Sequence, residues 1–93
     1  MIITYDPKFI NQFNNIWDFI AGDSKNRANK FKIELKGKIE NLIYMPYKFR
    51  KSIYFEDENI RDLIYKGYVI PYEIDQKDDM INILGIKKYQ NNI

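Results

Sequence analysis

Ile60-Arg61-Asp62-Leu63-Ile64-Tyr65-Lys66-Gly67-Tyr68-Val69-Ile70-Pro71-Tyr72-Glu73-Ile74-Asp75 sets two runs of β-branched and aromatic residues on either side of Lys66-Gly67. Runs of this composition read as strands, and a two-residue break ending in glycine reads as a tight hairpin. Tyr68, Ile70, Tyr72 and Ile74 recur at period two, so they share one face of the second strand, the face predicted to pack under other elements. Pro71 lacks a backbone donor, which places it at a bulge or with its nitrogen on an unpaired side. Downstream, Asp75-Gln76-Lys77-Asp78-Asp79 reads as a polar loop, and residues 80–86 as a further strand. Upstream, residues 49–55 read as a further strand, an antiparallel neighbour ahead of the hairpin.

Further upstream the period changes. Ile2-Ile3-Thr4-Tyr5 is a short strand-like run ended by Asp6-Pro7, where Asp6 caps a helix and Pro7 takes its first turn. Phe9, Phe13, Ile16, Trp17 and Ile20 fall on one helical face and are assigned to the core, with Gly22 as the stop. Asp23 or Ser24 caps a second helix whose face runs through Ala28, Phe31, Leu35, Ile39, Leu42 and Ile43 until Met45-Pro46 ends it. The two helices are expected to form an antiparallel hairpin. Gly37 inside the second costs about 1 kcal/mol relative to alanine, which predicts a close approach to the first helix as compensation. The tail 89–93 is expected to fray. The expected class is therefore α+β: an N-terminal strand, a helix hairpin, and a four-stranded antiparallel sheet packed on the helices, in one domain over residues 1–93.

Composition narrows the chemistry. The 93 residues are 45% hydrophobic, 16% aromatic and 30% charged, a balance that builds a core with a solvated surface. Histidine and cysteine are both absent. That excludes disulfides, Cys/His zinc sites and imidazole-assisted nucleophiles, and neither a metal nor a cofactor is expected. No apolar run reaches membrane-spanning length and MIITYDPKF has no signal-peptide character, so a cytoplasmic, non-membrane protein is expected. Net charge is +2, unevenly spread. Residues 24–51 carry nine cations against two anions, net +7, and residues 52–86 carry three against eight, net −5. Segments of this kind satisfy each other, satisfy solvent, or form a surface for a polyanion.

The order of elements, together with the residues of the C-terminal half, resembles the RelE/ParE superfamily of small bacterial toxins from type II toxin–antitoxin modules. Ile60-Arg61-Asp62-Leu63, then Gly67-Tyr68-Val69-Ile70-Pro71-Tyr72-Glu73-Ile74-Asp75, then the run from Met80 to Ile86, is similar to that family's sheet pattern. The Gly-Tyr-Val-Ile-Pro-Tyr form and the ending Ile83-Leu84-Gly85-Ile86 are similar to a ParE-like branch. What the resemblance implies differs by branch. RelE-like members cut ribosome-bound mRNA with Lys and Arg side chains on the sheet, often assisted by a C-terminal Tyr or His, whereas ParE-like members block DNA gyrase. Both work with a cognate antitoxin, in a toxin–antitoxin hetero-oligomer.

Val69 stands where the cleaving pattern has an arginine, and valine neither stabilises a phosphate nor moves a proton. The resemblance thus implies a growth-arresting toxin that binds a target such as gyrase. A ribosome-dependent endoribonuclease and an inactive relative that only binds antitoxin remain the alternatives. Catalytic candidates for the nuclease are Lys51, Arg61, Lys88 and Tyr89; candidates for target or nucleic-acid contact are Lys48, Arg50, Lys51, Arg61, Lys87 and Lys88. Each also has a plain structural account: charge guarding a strand edge for Lys48, Arg50 and Lys51, a salt bridge to Asp62 or Glu73 for Arg61, an ordinary surface tyrosine for Tyr89. Glu56-Asp57-Glu58 resembles no metal loop and reads as a solvated turn. A small sheet with helices on one side leaves a groove and at least one strand edge open to an extended or helical antitoxin segment, and an acidic segment would suit the +7 stretch.

Overall fold

Asp6 and Ser24 set the helices. In a computed structural model that describes residues 1–89, the Asp6 carboxylate accepts from the Lys8 N–H at 2.9 Å and Pro7 occupies the first position of α1 (Pro7–Asp23). Ser24 then serves both helices. Its N–H closes on Ile20 O, and its hydroxyl accepts from the Arg27 N–H at 3.1 Å to start α2 (Lys25–Glu40). Gly22 lies inside α1, and one serine makes the reversal.

A short 3₁₀ turn (Asn41–Ile43) extends α2. The strands are β1 (Ile2–Tyr5), β2 (Ile60–Tyr65), β3 (Tyr68–Asp75), β4 (Met80–Ile83) and β5 (Lys87–Lys88). They form one sheet in the order β1-β4-β3-β2, with β5 also paired to β3. β1 runs parallel to β4, and the other pairings are antiparallel. The α+β class and the helix hairpin are as expected; the sheet is mixed and has five strands rather than four antiparallel ones.

Two departures have physical causes. Residues 49–55 are not a strand: they touch β2 through a single bridge, Lys51 to Arg61, and the Ile53 N–H is captured at 3.1 Å by the carboxylate of Asp62. A side-chain acceptor there takes a donor that a ladder would need. The run 80–86 divides because Leu84, Gly85 and Ile86 stand opposite only Ile70 and Pro71 between the two paired stretches. This is a bulge, as Pro71 required. The Asp62 N–H bonds Arg50 O, so at the Asp62–Pro71 pair the backbone groups point outward, and the proline nitrogen faces the bulge.

The Lys66-Gly67 turn has φ of 47° and 81°, the left-handed pair of a type I′ hairpin. Beneath the helices Leu63, Tyr65, Ile70, Tyr72, Ile74, Ile81 and Ile83 meet Phe9, Phe31, Leu35 and Ile39 in one buried cluster. Ring centroids at 5.4–6.2 Å link Tyr5, Phe9, Phe13, Phe31 and Tyr65. Trp17 is half-buried outside that cluster. Gly37 has no heavy atom within 4 Å of where a Cβ would stand, so the expected helix approach is absent. Ile43 is 36% exposed and sits at the margin of the apolar face assigned to it. In the tail, Tyr89 is held by its N–H to Gly67 O at 2.7 Å, and 90–93 lie outside the described residues.

Candidate functional site

Register decides which candidates can meet. Arg61 pairs with Tyr72 and Lys88 with Tyr68, on the helix side of the sheet and about 13 Å apart along β3. Lys87 pairs with Val69 on the opposite face. Lys51 stands at the β2 edge opposite Arg61. Lys51, Arg61, Lys88 and Tyr89 are therefore not gathered around one point.

Arg61 is occupied. Its Nε donates to Glu58 O at 2.9 Å, a terminal nitrogen donates to Phe49 O at 3.2 Å, and the guanidinium lies 4.9 Å from the Tyr47 ring centroid. It fastens the irregular segment after the helices to the sheet, by carbonyls rather than by Asp62 or Glu73. Arg50 approaches Asp62 at 3.6 Å, and Lys48 sits 5.6 Å over Phe49. Asp62 has no exposed surface; one oxygen takes the Ile53 N–H and the other has no partner. Val69 is fully buried between Ile64 and Lys87 in register. An isopropyl group at this strand position binds no phosphate.

Glu34 ties α2 to the hairpin, accepting from Tyr65 Oη at 3.0 Å and Lys66 Nζ at 3.2 Å. The bond from Tyr65 holds the Glu34 carboxyl below its usual range. Burial raises the Tyr65 phenol, and the Glu34 carboxylate raises Lys66. These groups stay in their ordinary charge states near neutrality and offer no acid–base pair.

Two concavities offer further recognition chemistry. A groove of about 280 Å³ opens between the helices beside β1, lined by Tyr5, Phe9, Ile10, Phe13, Leu35 and Ile39 and flanked by Lys32 and Lys36. β1 is the sheet's edge: the Ile2 and Asp6 N–H groups go to Asp79 O and Ile83 O, so those of Ile3 and Tyr5 point outward. The second concavity, about 290 Å³, lies at the bulge between α1 and the Tyr54–Phe55 segment. Gln12 reaches into the bulge from α1 and accepts the Ile86 N–H at 2.9 Å; a Cβ on Gly85 would stand 2.8 Å from that oxygen. Sequence reasoning expected a groove and a strand edge open to a partner segment, but located neither concavity. The available signal was Ile10, apolar but off the main helical face, and the isolated Gly85.

The chain matches the family model for the ParE toxin of the type II toxin–antitoxin system parDE over residues 3–92. No curated protein matches it significantly. Among solved structures it is similar to the chromosomal ParDE system of P. aeruginosa, with TM-score 0.76, 16% identity and 97% of each chain covered. An E. coli RelE variant bound to a RelB peptide gives TM-score 0.72 at 11% identity, covering 97% of this chain and 84% of that one. The intact E. coli RelBE complex gives 0.58 at 12%, covering 97% and 98%.

Proposed function

We propose that this chain, which belongs to the ParE toxin family of type II toxin–antitoxin systems, arrests growth by docking on a larger cellular target and does so without cutting RNA. The observation that carries this reading is Val69, buried between Ile64 and Lys87 where a phosphate-binding cation would be needed. Arg61 is already committed to the Glu58 and Phe49 carbonyls, which supports the same conclusion. DNA gyrase, implied by the ParE-like resemblance, is the proposed target, and the cytoplasm the proposed location. Among the described residues no helix is long and apolar enough to cross a membrane.

The antitoxin partner fits the groove between the helices. An amphipathic segment laying apolar side chains on Ile10, Phe13 and Leu35 would meet Lys32 and Lys36 at the rim, and an extended segment could continue along the outer edge of β1. Ile10 is 44% exposed, so Ile10→Asp is expected to abolish antitoxin capture while leaving thermal unfolding unchanged.

The deciding experiment induces the chain without antitoxin, maps mRNA 5′ ends across the transcriptome and assays purified gyrase for supercoiling. Arrest with intact messages and blocked supercoiling is expected. New ends within translated codons would replace this reading by the endoribonuclease, arrest with neither would rule out gyrase, and unimpaired growth would leave an inactive relative.

A further inference from the structure

We propose that a second copy of this chain docks on the face of the sheet opposite the helices, forming a two-fold dimer in which Glu56, Asp57 and Glu58 of each copy meet Lys87 of the other. The inference goes beyond the toxin reading and does not depend on it.

Register defines the face. Ile60, Asp62 and Ile64 alternate with the β2 residues that meet the helices and pair with Glu73, Pro71 and Val69, so all six point away from the helices. Lys87 pairs with Val69 and joins them. The segment after Ser52 folds onto this face. The Ile53 N–H reaches the Asp62 carboxylate at 3.1 Å, the Tyr54 N–H reaches Ser52 Oγ at 3.2 Å, and the Tyr54 ring centroid lies 3.6 Å from the Lys87 ammonium. What remains outermost is apolar. Ile53 is 56% exposed, Ile64 42%, Phe55 41% and Tyr54 38%. Ile53 is held at Asp62, and Ile64 is the next residue of β2 on the same face, so these side chains form one patch.

Charge names the occupant. Glu56, Asp57 and Glu58 are exposed beyond the Ile60 end of β2, where the Ile60 N–H closes on Asp57 O and Arg61 Nε on Glu58 O. Lys87 stands in the Ile64 row, about 13 Å further along the strands than the Ile60 row. Among the described residues neither the three carboxylates nor Lys87 has an ion-pair partner. A uniformly basic partner would face Lys87 with like charge, and a uniformly acidic one would face the carboxylates with it. The face suits a partner that carries both signs in the reverse order. A two-fold axis in the plane of the interface, set across the line from Glu58 to Lys87, reverses that line in a second copy and brings opposite charges together twice. The groove between the helices lies on the other side of the sheet and stays open in both copies.

The test is sedimentation velocity of the full chain without antitoxin, from about 1 to 200 μM, at 50 and 500 mM salt. A dimer with a micromolar dissociation constant is expected at the lower salt and a looser one at the higher. Ile53→Asp and Ile64→Asp are each expected to weaken it at least about tenfold. Lys87→Glu and Glu58→Lys should do the same singly, whereas the chain carrying both changes restores an opposite pair across the axis and should dimerise within about threefold of the unchanged chain. Ile10→Asp, in the groove, should leave dimerisation unchanged. Far-UV circular dichroism and thermal unfolding at about 1 μM check the fold of each variant. A chain that stays monomeric to 200 μM at 50 mM salt would overturn the proposal, as would a dimer that survives both Ile53→Asp and Ile64→Asp or is lost in Ile10→Asp in their place. Failure of the doubly exchanged chain to recover would overturn the two-fold pairing. A monomer whose Ile53→Asp variant no longer inhibits gyrase would reassign the face to the target.

Discussion

At Tyr72 a phenol with no exposed surface donates to Pro46 O at 2.6 Å, and burial pushes its pKa up to about 12. The folded state therefore holds this proton more tightly than an unfolded tyrosine, which titrates near 10. Between those values the unfolded chain binds fewer protons, so stability is fully present below pH 10 and falls as pH rises toward 12, by about 2–3 kcal/mol from this group. Tyr72→Phe is expected to cost about 1 kcal/mol at pH 7 for the lost bond and to flatten the alkaline slope. Urea unfolding at pH 7, 10 and 11.5 measures both, and an unchanged slope would reject the assignment. Arg61 teaches the complementary lesson. Its residue type and strand position were legible, but its partners are backbone carbonyls of Phe49 and Glu58, which no side-chain pattern reveals. The buried Asp62 was hidden for the same reason: a carboxylate inside a sheet reads as surface until the segment it fastens is seen.

At the scale of elements, both helices, their caps and the β2–β3 hairpin were readable because local chemistry and burial agree there: Asp6, Ser24 and Lys66-Gly67 each satisfy a local geometric need. Residues 49–55 misled because a short run with Ile and aromatic residues bounded by turn-rich segments normally marks a strand, yet Ile53 is 56% exposed and Phe55 41%. Gly37 misled differently, since a helical glycine with open space around it contributes only its cost. Gly37→Ala is accordingly expected to stabilise the chain by about 0.5–1 kcal/mol, seen as a higher denaturant midpoint with an unchanged m-value. Gly85 should behave in the opposite way. An added methyl must displace the Gln12 side chain from the Ile86 N–H, so Gly85→Ala and Gln12→Ala are each expected to cost about 1 kcal/mol. Because both break one bond, the double variant should cost little more than either alone; full additivity in the double-mutant cycle would deny the coupling.

For the whole molecule, the uneven charge is left to solvent rather than neutralised internally. Arg50–Asp62 joins the basic stretch to the acidic one, and Lys66–Glu34 joins them with the signs reversed; both involve at least one partly exposed partner. On α2, Lys30, Lys32 and Lys36 have no ion-pair partner among the described residues and remain to attract an acidic partner. Connectivity adds a second global property. β1, at the start of the chain, pairs with β4 some 78 residues later, and it has a neighbour on one side only. β3 lies between β2 and β4 and contributes Ile70, Tyr72 and Ile74 to the core. Closing the longest loop for the smallest gain makes β1 the least protected part of the sheet. Native-state hydrogen exchange should find the Thr4 amide opening well below the global unfolding free energy, while amides in the middle of β3 exchange only through global unfolding. If β1 is also the edge along which the antitoxin runs, adding that partner should raise Thr4 protection selectively. Equal protection of β1 and β3 in the free chain would show instead that the sheet opens as one unit, and that the edge is not held in reserve for a partner.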